Sequence, residues 1–180
     1  MSKRQKVVEV ATRLFSENGF ENTPVSMICE QAEVSKGAVF HHFKNKNDIL
    51  REVFVYITAA IEEADKSDEH IIDTDNRLEA MIDSIFDGMT VAEHRKMYQF
   101  NFSVMVHPTT RAIVSDLIEE RYQALQASTE EVFRSLCYPN PAVVTKMFIA
   151  EIDGIAMNYL LNDDFPIEDV KQEFINKYVK

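Results

Sequence analysis

Between Ser35 and Lys46 the chain reads Ser-Lys-Gly-Ala-Val-Phe-His-His-Phe-Lys-Asn-Lys, a set of residue types suited to contact with a polyanion. Lys36 can donate to a phosphate or to the guanine acceptors of a DNA major groove. Gly37 and Ala38 beside it are small enough to let a helix backbone approach a surface closely. Ser35 can cap a short helix, and Val34 and Val39 occupy the two positions of a hydrophobic staple. With Val39 and Phe43 turned inward, Lys36, Gly37, Ala38, Phe40, His41 and His42 face outward, followed by Lys44 and Lys46. Lys46 falls in the first turn of the next helix, where a cation opposes the macrodipole unless an anion is shared. A phosphate would supply that anion. A helical hairpin with solvated lysines has the same pattern, so residue types alone leave both readings open.

Other chemistry has no visible apparatus. Adjacent His41 and His42 point about 100° apart on a helix and do not readily share one metal ion. His70, His94 and His107 lack ligand spacing, and no Cys-His pair, nucleophile elbow or glycine-rich phosphate loop occurs. Neither an enzyme nor a metal or other cofactor is expected. Cys29 and Cys137 lie far apart, each in an apolar pattern, and read as buried thiols rather than a disulfide.

The net charge of −11 argues at first against a nucleic-acid partner, but its distribution is uneven. Residues 1–51 carry 8 Lys and Arg against 6 acids, leaving 11 against 24 in the rest. A weakly basic head is thus followed by a strongly acidic body, which suggests two jobs or simply two differently solvated surfaces. The 180 residues, 46% hydrophobic and 27% charged, exclude a disordered chain. No uncharged apolar run approaches the roughly 18 residues of a membrane span. The first residues do not read as a signal peptide, so a cytoplasmic protein is the expectation.

Four glycines, five prolines and apolar residues at helical spacing predict an all-α fold of about nine helices. Val7, Ala11, Leu14 and Phe15 form the stripe of the first, which Gly19 ends with a left-handed cap. Thr23 and Pro24 begin a second, as N-cap and first helical residue. Ser35 begins the third, and Asn45 with Asp48 the fourth, running to about Lys66. Asp65 to Asp75 reads as an acidic loop. Further helices follow: one stopping near Gly88, one from Val91 to Val106 that should be largely enclosed, one from Thr109 to Leu136, one from Ala142 to Leu161 and a last one after Pro166.

The second and third helices have the spacing of a helix-turn-helix, with the tight turn at Glu33-Val34-Ser35. The run from Leu14-Phe15 through Gly19-Phe20, Thr23, Val34 to Lys46 and Ile49-Leu50 resembles the DNA-binding domain of TetR-family transcriptional regulators. The resemblance covers roughly residues 5 to 55. It implies a helix-turn-helix domain at 1–46 joined to a helical-bundle domain at 47–180 that binds an effector and dimerises. It implies that two copies of the third helix enter successive major grooves of a palindromic operator, and that a ligand in the body moves them apart and lifts repression. Carried over by residue, it places Lys36, Gly37 and Ala38 near bases and Phe40, His41, His42 and Lys46 near the backbone, with Thr23 capping the second helix at the phosphates. Three positions depart from the family's pattern. Glu33 replaces a glycine, Phe40 a tyrosine, and Ala38 a frequent threonine.

For the body, Met97, Tyr98, Phe100, Phe102, Met105, Tyr122 and Phe148, with the polar Asn101, would suit a pocket for a small apolar effector, although a Met and Phe stripe is also what a plain core looks like. Glu151 and Asp153 face either a cationic ligand or water. In the helix 142–161, Val144, Phe148, Ile152, Ile155 and Tyr159 suffice to bury one face, yet Val143, Met147, Ala150, Gly154 and Leu161 make a second face apolar or small. That second face is the expected homodimer contact, though the two faces could be reversed. A helical small-molecule carrier or adaptor without DNA binding is the alternative reading of the same bundle.

Overall fold

The computed structural model describes residues 1–64, 77–92 and 95–179; the expected acidic loop, His70 and His94 fall outside them. The described residues form nine α-helices: α1 (Lys3–Asn18), α2 (Val25–Gln31), α3 (Lys36–His42), α4 (Lys46–Ala64), α5 (Arg77–Thr90), α6 (Arg95–Val106), α7 (Pro108–Ser135), α8 (Pro141–Leu161) and α9 (Ile167–Tyr178). The chain divides into two compact units, one of Met1–Ile61 with Glu93–Ile118, the other of Glu62–Ala92 with Glu119–Lys180. Neither unit has the boundary at residue 46 that the motif suggests.

In the first unit, the α1 stripe of Val7, Ala11, Leu14 and Phe15 is buried together with Ile28, Val39, Phe43, Ile49, Leu50, Val53 and Ile57. α6 joins this core through Phe100 and Val104, and α7 through Val114. The Phe15 ring lies edge-on to Phe20 at 5.4 Å and stacks with Phe100 at 6.0 Å. Only Phe100, Asn101 and Val104 of α6 are buried, so the expected enclosure of this helix is corrected: its apolar residues spread around the axis, but one side alone is covered. α7 is not straight. Val114 leaves helical geometry at φ −118° and ψ 15°.

The second unit is built around rings. Phe133, Phe148, Phe174 and Tyr178 meet at centroid distances of 5.3 Å (Phe133 to Phe148), 5.2 Å (Phe148 to Phe174) and 4.8 Å (Phe174 to Tyr178). Such pairs contribute about 0.5–1.5 kcal/mol each beyond their burial. Leu78, Ile82 and Phe86 of α5 complete the core, and Lys171 of α9 ties the two helices by pairing with Asp83 at 2.9 Å and Asp87 at 2.8 Å. Burial, with the Glu151 carboxylate next to it, pushes the Tyr178 phenol up to about 12.

Cys29 is buried as expected, but Cys137 is exposed. The reason is its turn. Tyr138 N–H donates to the Phe133 carbonyl at 3.0 Å, closing α7 in the manner of a Schellman motif, and Cys137 takes the left-handed position at φ 56° on the surface.

Candidate nucleic-acid interface

α3 begins where the sequence places it. The Ser35 hydroxyl accepts from Ala38 N–H at 3.1 Å, satisfying one of the amides that a helix start leaves free. Val39 and Phe43 point into the core at 0% and 2% exposure. Lys36, Gly37, Phe40, His41, His42 and Lys44 are exposed, while Ala38 and Lys46 are half-buried. The His41 and His42 rings meet edge to face at 5.0 Å, and Lys36 Nζ stands 5.8 Å from the Phe40 ring centre. A methyl added at Gly37 would meet only Ser35 Oγ, at 4.0 Å. The backbone of the helix is therefore bare in the first turn of its outward side.

The turn before α3 explains the unusual Glu33. Val34 N–H donates to the Cys29 carbonyl at 3.0 Å, a Schellman closure of α2 that puts Glu33 in the left-handed position at φ 53°. A glycine adopts that conformation without penalty, which is the physical sense of the family's preference. Here the Glu33 carboxylate instead takes a cation, Lys6 Nζ at 3.0 Å.

Asn45 caps α4 by accepting from Asp48 N–H at 3.0 Å, and Asp48 accepts from Lys44 N–H at 2.9 Å. Lys46 is not the unpaired cation expected at this helix start. Its ammonium lies 4.3 Å from the Phe20 ring centre and donates to the Glu21 carbonyl at 3.3 Å. Partial burial lowers its pKa, against the opposing pull of Glu21.

Thr23 also differs from expectation. It is buried, and its hydroxyl donates to the Gly19 and Leu14 carbonyls at 2.8 and 3.3 Å, so it staples the end of α1. The N-cap of α2 is Pro24, without a side-chain cap bond. No atom of Thr23 is left exposed for a phosphate, and its hydroxyl is already engaged with two carbonyls of the preceding segment.

The residues expected around an effector are divided between the two units. Phe100 is core in the first unit, and Phe148 is core in the second. Met97, Tyr98 and Met105 pack against the core of the first unit, and Phe102 is half-buried there. Tyr122 of α7 is 44% exposed. Asn101 is the exception with an unmet requirement, since its Oδ1 is buried without a hydrogen-bond partner. Glu151 faces no free cation site, because Lys177 Nζ reaches both of its oxygens at 2.6 and 2.7 Å.

Comparison with known proteins fits the geometry of the head. Residues 7–53 match the family described as bacterial regulatory proteins, tetR family. Over 51 residues the chain is 41% identical to the HTH-type transcriptional regulator AcrR of Shigella flexneri. The head of the chain is thus similar to the DNA-binding part of TetR-family regulators. The AcrR match spans 28% of this chain and 24% of that relative, so it speaks for the head. Two solved structures share this fold over nearly the whole length. A putative transcriptional regulator from Pseudomonas aeruginosa PAO1 superposes with a TM-score of 0.76 at 18% identity, covering 97% of this chain and 88% of the other. The transcriptional regulator FadR of Bacillus subtilis, solved with stearoyl-CoA, superposes with a TM-score of 0.69 at 19% identity, covering 98% and 97%.

On α8, Val143, Met147 and Leu161 are 58%, 51% and 79% exposed, and Ala150 and Gly154 are exposed with them. The sequence reading missed Met157, which is 43% exposed and completes the stripe at steps of four and three residues. Its signal was available in that spacing. Arg51 was missed as well, and no local pattern could have found its partner 65 residues away.

Proposed function

We propose that this chain is a dimeric, one-component regulator of transcription that binds a roughly palindromic operator and leaves it when a small, largely apolar effector occupies the body. The observation that carries the DNA reading is the outward side of α3, a Ser35-capped helix with Gly37 bare among exposed Lys36, Phe40 and His41. In this reading Lys36, Gly37 and Ala38 of the head 1–46 meet base edges, and His41, His42, Lys44 and Lys46 hold the sugar-phosphate backbone. Lys46 can exchange a weak carbonyl contact for a phosphate, which also answers the dipole of α4. The work is that of a binding protein in the cytoplasm, where the DNA is, and not of an enzyme.

For the effector, the support is Asn101. Leaving its buried Oδ1 unmet costs about 1–3 kcal/mol, and a donor on a bound molecule would remove that cost. FadR, solved with stearoyl-CoA, shares the fold, and that ligand carries a long apolar acyl chain. Coupling of about 1–3 kcal/mol would weaken operator binding in the presence of effector, and operator would weaken effector binding by the same factor. Dimerisation through the exposed stripe of α8, aided by α9, would fix two heads at the spacing of roughly 34 Å that a palindrome demands.

The test starts with selecting bound fragments from the source genome and titrating the recovered operator at several salt concentrations. Lys46→Ala should weaken binding to all duplexes alike and lower the salt slope by about 2 per dimer. Lys36→Ala should change discrimination among operator variants by about 1–3 kcal/mol. A purified chain that recovers no fragment above background would refute the reading.

A further inference from the structure

Phe40 is 42% exposed on α3, and it belongs to neither hydrophobic core. A single exposed apolar side chain is ordinary on most surfaces. This one stands in the outward stripe with Lys36, Gly37 and His41, positions one, four and five apart that share one side of a helix. The side chain is carbon and hydrogen only, so it has nothing to donate to a phosphate oxygen, unlike the lysines and histidines around it. The Lys36 ammonium, 5.8 Å from the ring centre, is a weak exposed contact that leaves the ring accessible.

In a major groove the apolar feature that base pairs present is the C5 methyl of thymine. Gly37, one turn back on the same side, leaves nothing to hold the helix away from the base edges. We propose that Phe40 is a specificity-determining residue that packs against a thymine C5 methyl in each half-site. The pairing selects thymine over cytosine, which lacks the methyl and presents an amino donor that a phenyl ring accepts poorly. It also explains how the helix can work with phenylalanine at a position where a phosphate contact would need a hydroxyl. This inference rests on the DNA reading above.

The experiment uses the full chain and its selected operator, with each symmetric pair of thymines replaced in turn by deoxyuridine, which removes the methyl and leaves every hydrogen-bonding group. At one such pair the unaltered protein should bind roughly 15-fold more weakly, about fourfold for each methyl withdrawn from an apolar contact. Phe40→Ala, and Phe40→Gln as a second route, should bind the thymine and deoxyuridine duplexes equally. Binding by the unaltered protein that ignores every methyl overturns the proposal while DNA binding stands, and so does a penalty that persists in both variants. A chain that binds no duplex at all overturns the DNA reading together with it.

Discussion

Arg51 holds Asp116 with both ends of its guanidinium, Nη1 at 2.6 Å and Nη2 at 2.7 Å, and Nη1 also donates to the Ile113 carbonyl at 2.8 Å. The pair joins α4 to α7 within the first unit, and the carbonyl it takes adjoins Val114, where α7 bends. A forked cation therefore secures both a carboxylate and the backbone beside a distortion of the helix.

The same contact gives a pH dependence. The Arg51 hydrogen bonds hold the Asp116 carboxyl at about 2, below its usual 3.8. A depressed carboxylate stabilises the fold above its unfolded pKa and loses that contribution as pH falls toward the folded one. Asp116→Asn should therefore melt below the unaltered chain at neutral pH, and the two melting temperatures should approach each other between about pH 4 and 2. A difference that stays constant down this range would show that the carboxylate charge plays no part.

Gly37→Ala separates stability from binding. The added methyl has room, and alanine favours helix over glycine by up to about 1 kcal/mol, so thermal stability should hold or rise. Operator affinity should nevertheless fall, because the methyl stands between the backbone and the groove. Unchanged affinity would mean that α3 does not approach DNA by this side.

Phe100→Ala should act on the fold and not on an effector. Its ring is 5% exposed and stacks on Phe15, so truncation should cost about 3–5 kcal/mol in denaturant unfolding. Tyr122→Ala, at a 44% exposed ring, should stay within about 0.5 kcal/mol. Equal and small losses at both positions would show that Phe100 does not pack as described.

Gly154→Leu tests the proposed dimer contact. Nothing lies within 4 Å of a carbon added at Gly154, so the protomer should fold unharmed. A bulky side chain in a close helix pair should instead shift sedimentation toward monomer and weaken binding to the full operator more than to a half-site. A dimer that persists with normal operator affinity would place the contact elsewhere.

What the sequence revealed follows from the range of each interaction. Ser35 with Ala38, and Asn45 with Asp48, meet three residues apart, so the starts of α3 and α4 could be read directly. The outward side of α3 was equally legible, because Val39 and Phe43 claim the other side. Periodicity says that a side faces inward but not what it meets. Phe100 thus looked as fit for a pocket as for the core until Phe15 was found against it. Thr23 beside Pro24 had the form of a cap, yet the carbonyls that claim its hydroxyl belong to the preceding helix. The bend at Val114 has no proline or glycine to announce it.

The first compact unit takes residues 93–118 from the middle of the chain along with its first 61 residues. The unit that carries α3 is therefore not a cassette that a single crossover can move. A hybrid regulator built by joining this chain's first 61 residues to another body would leave Phe15 without Phe100, and the core without Val104 and Val114. Recombination or engineering that transplants the proposed DNA specificity must carry two separate stretches of sequence, or replace only the surface of α3 on an intact host.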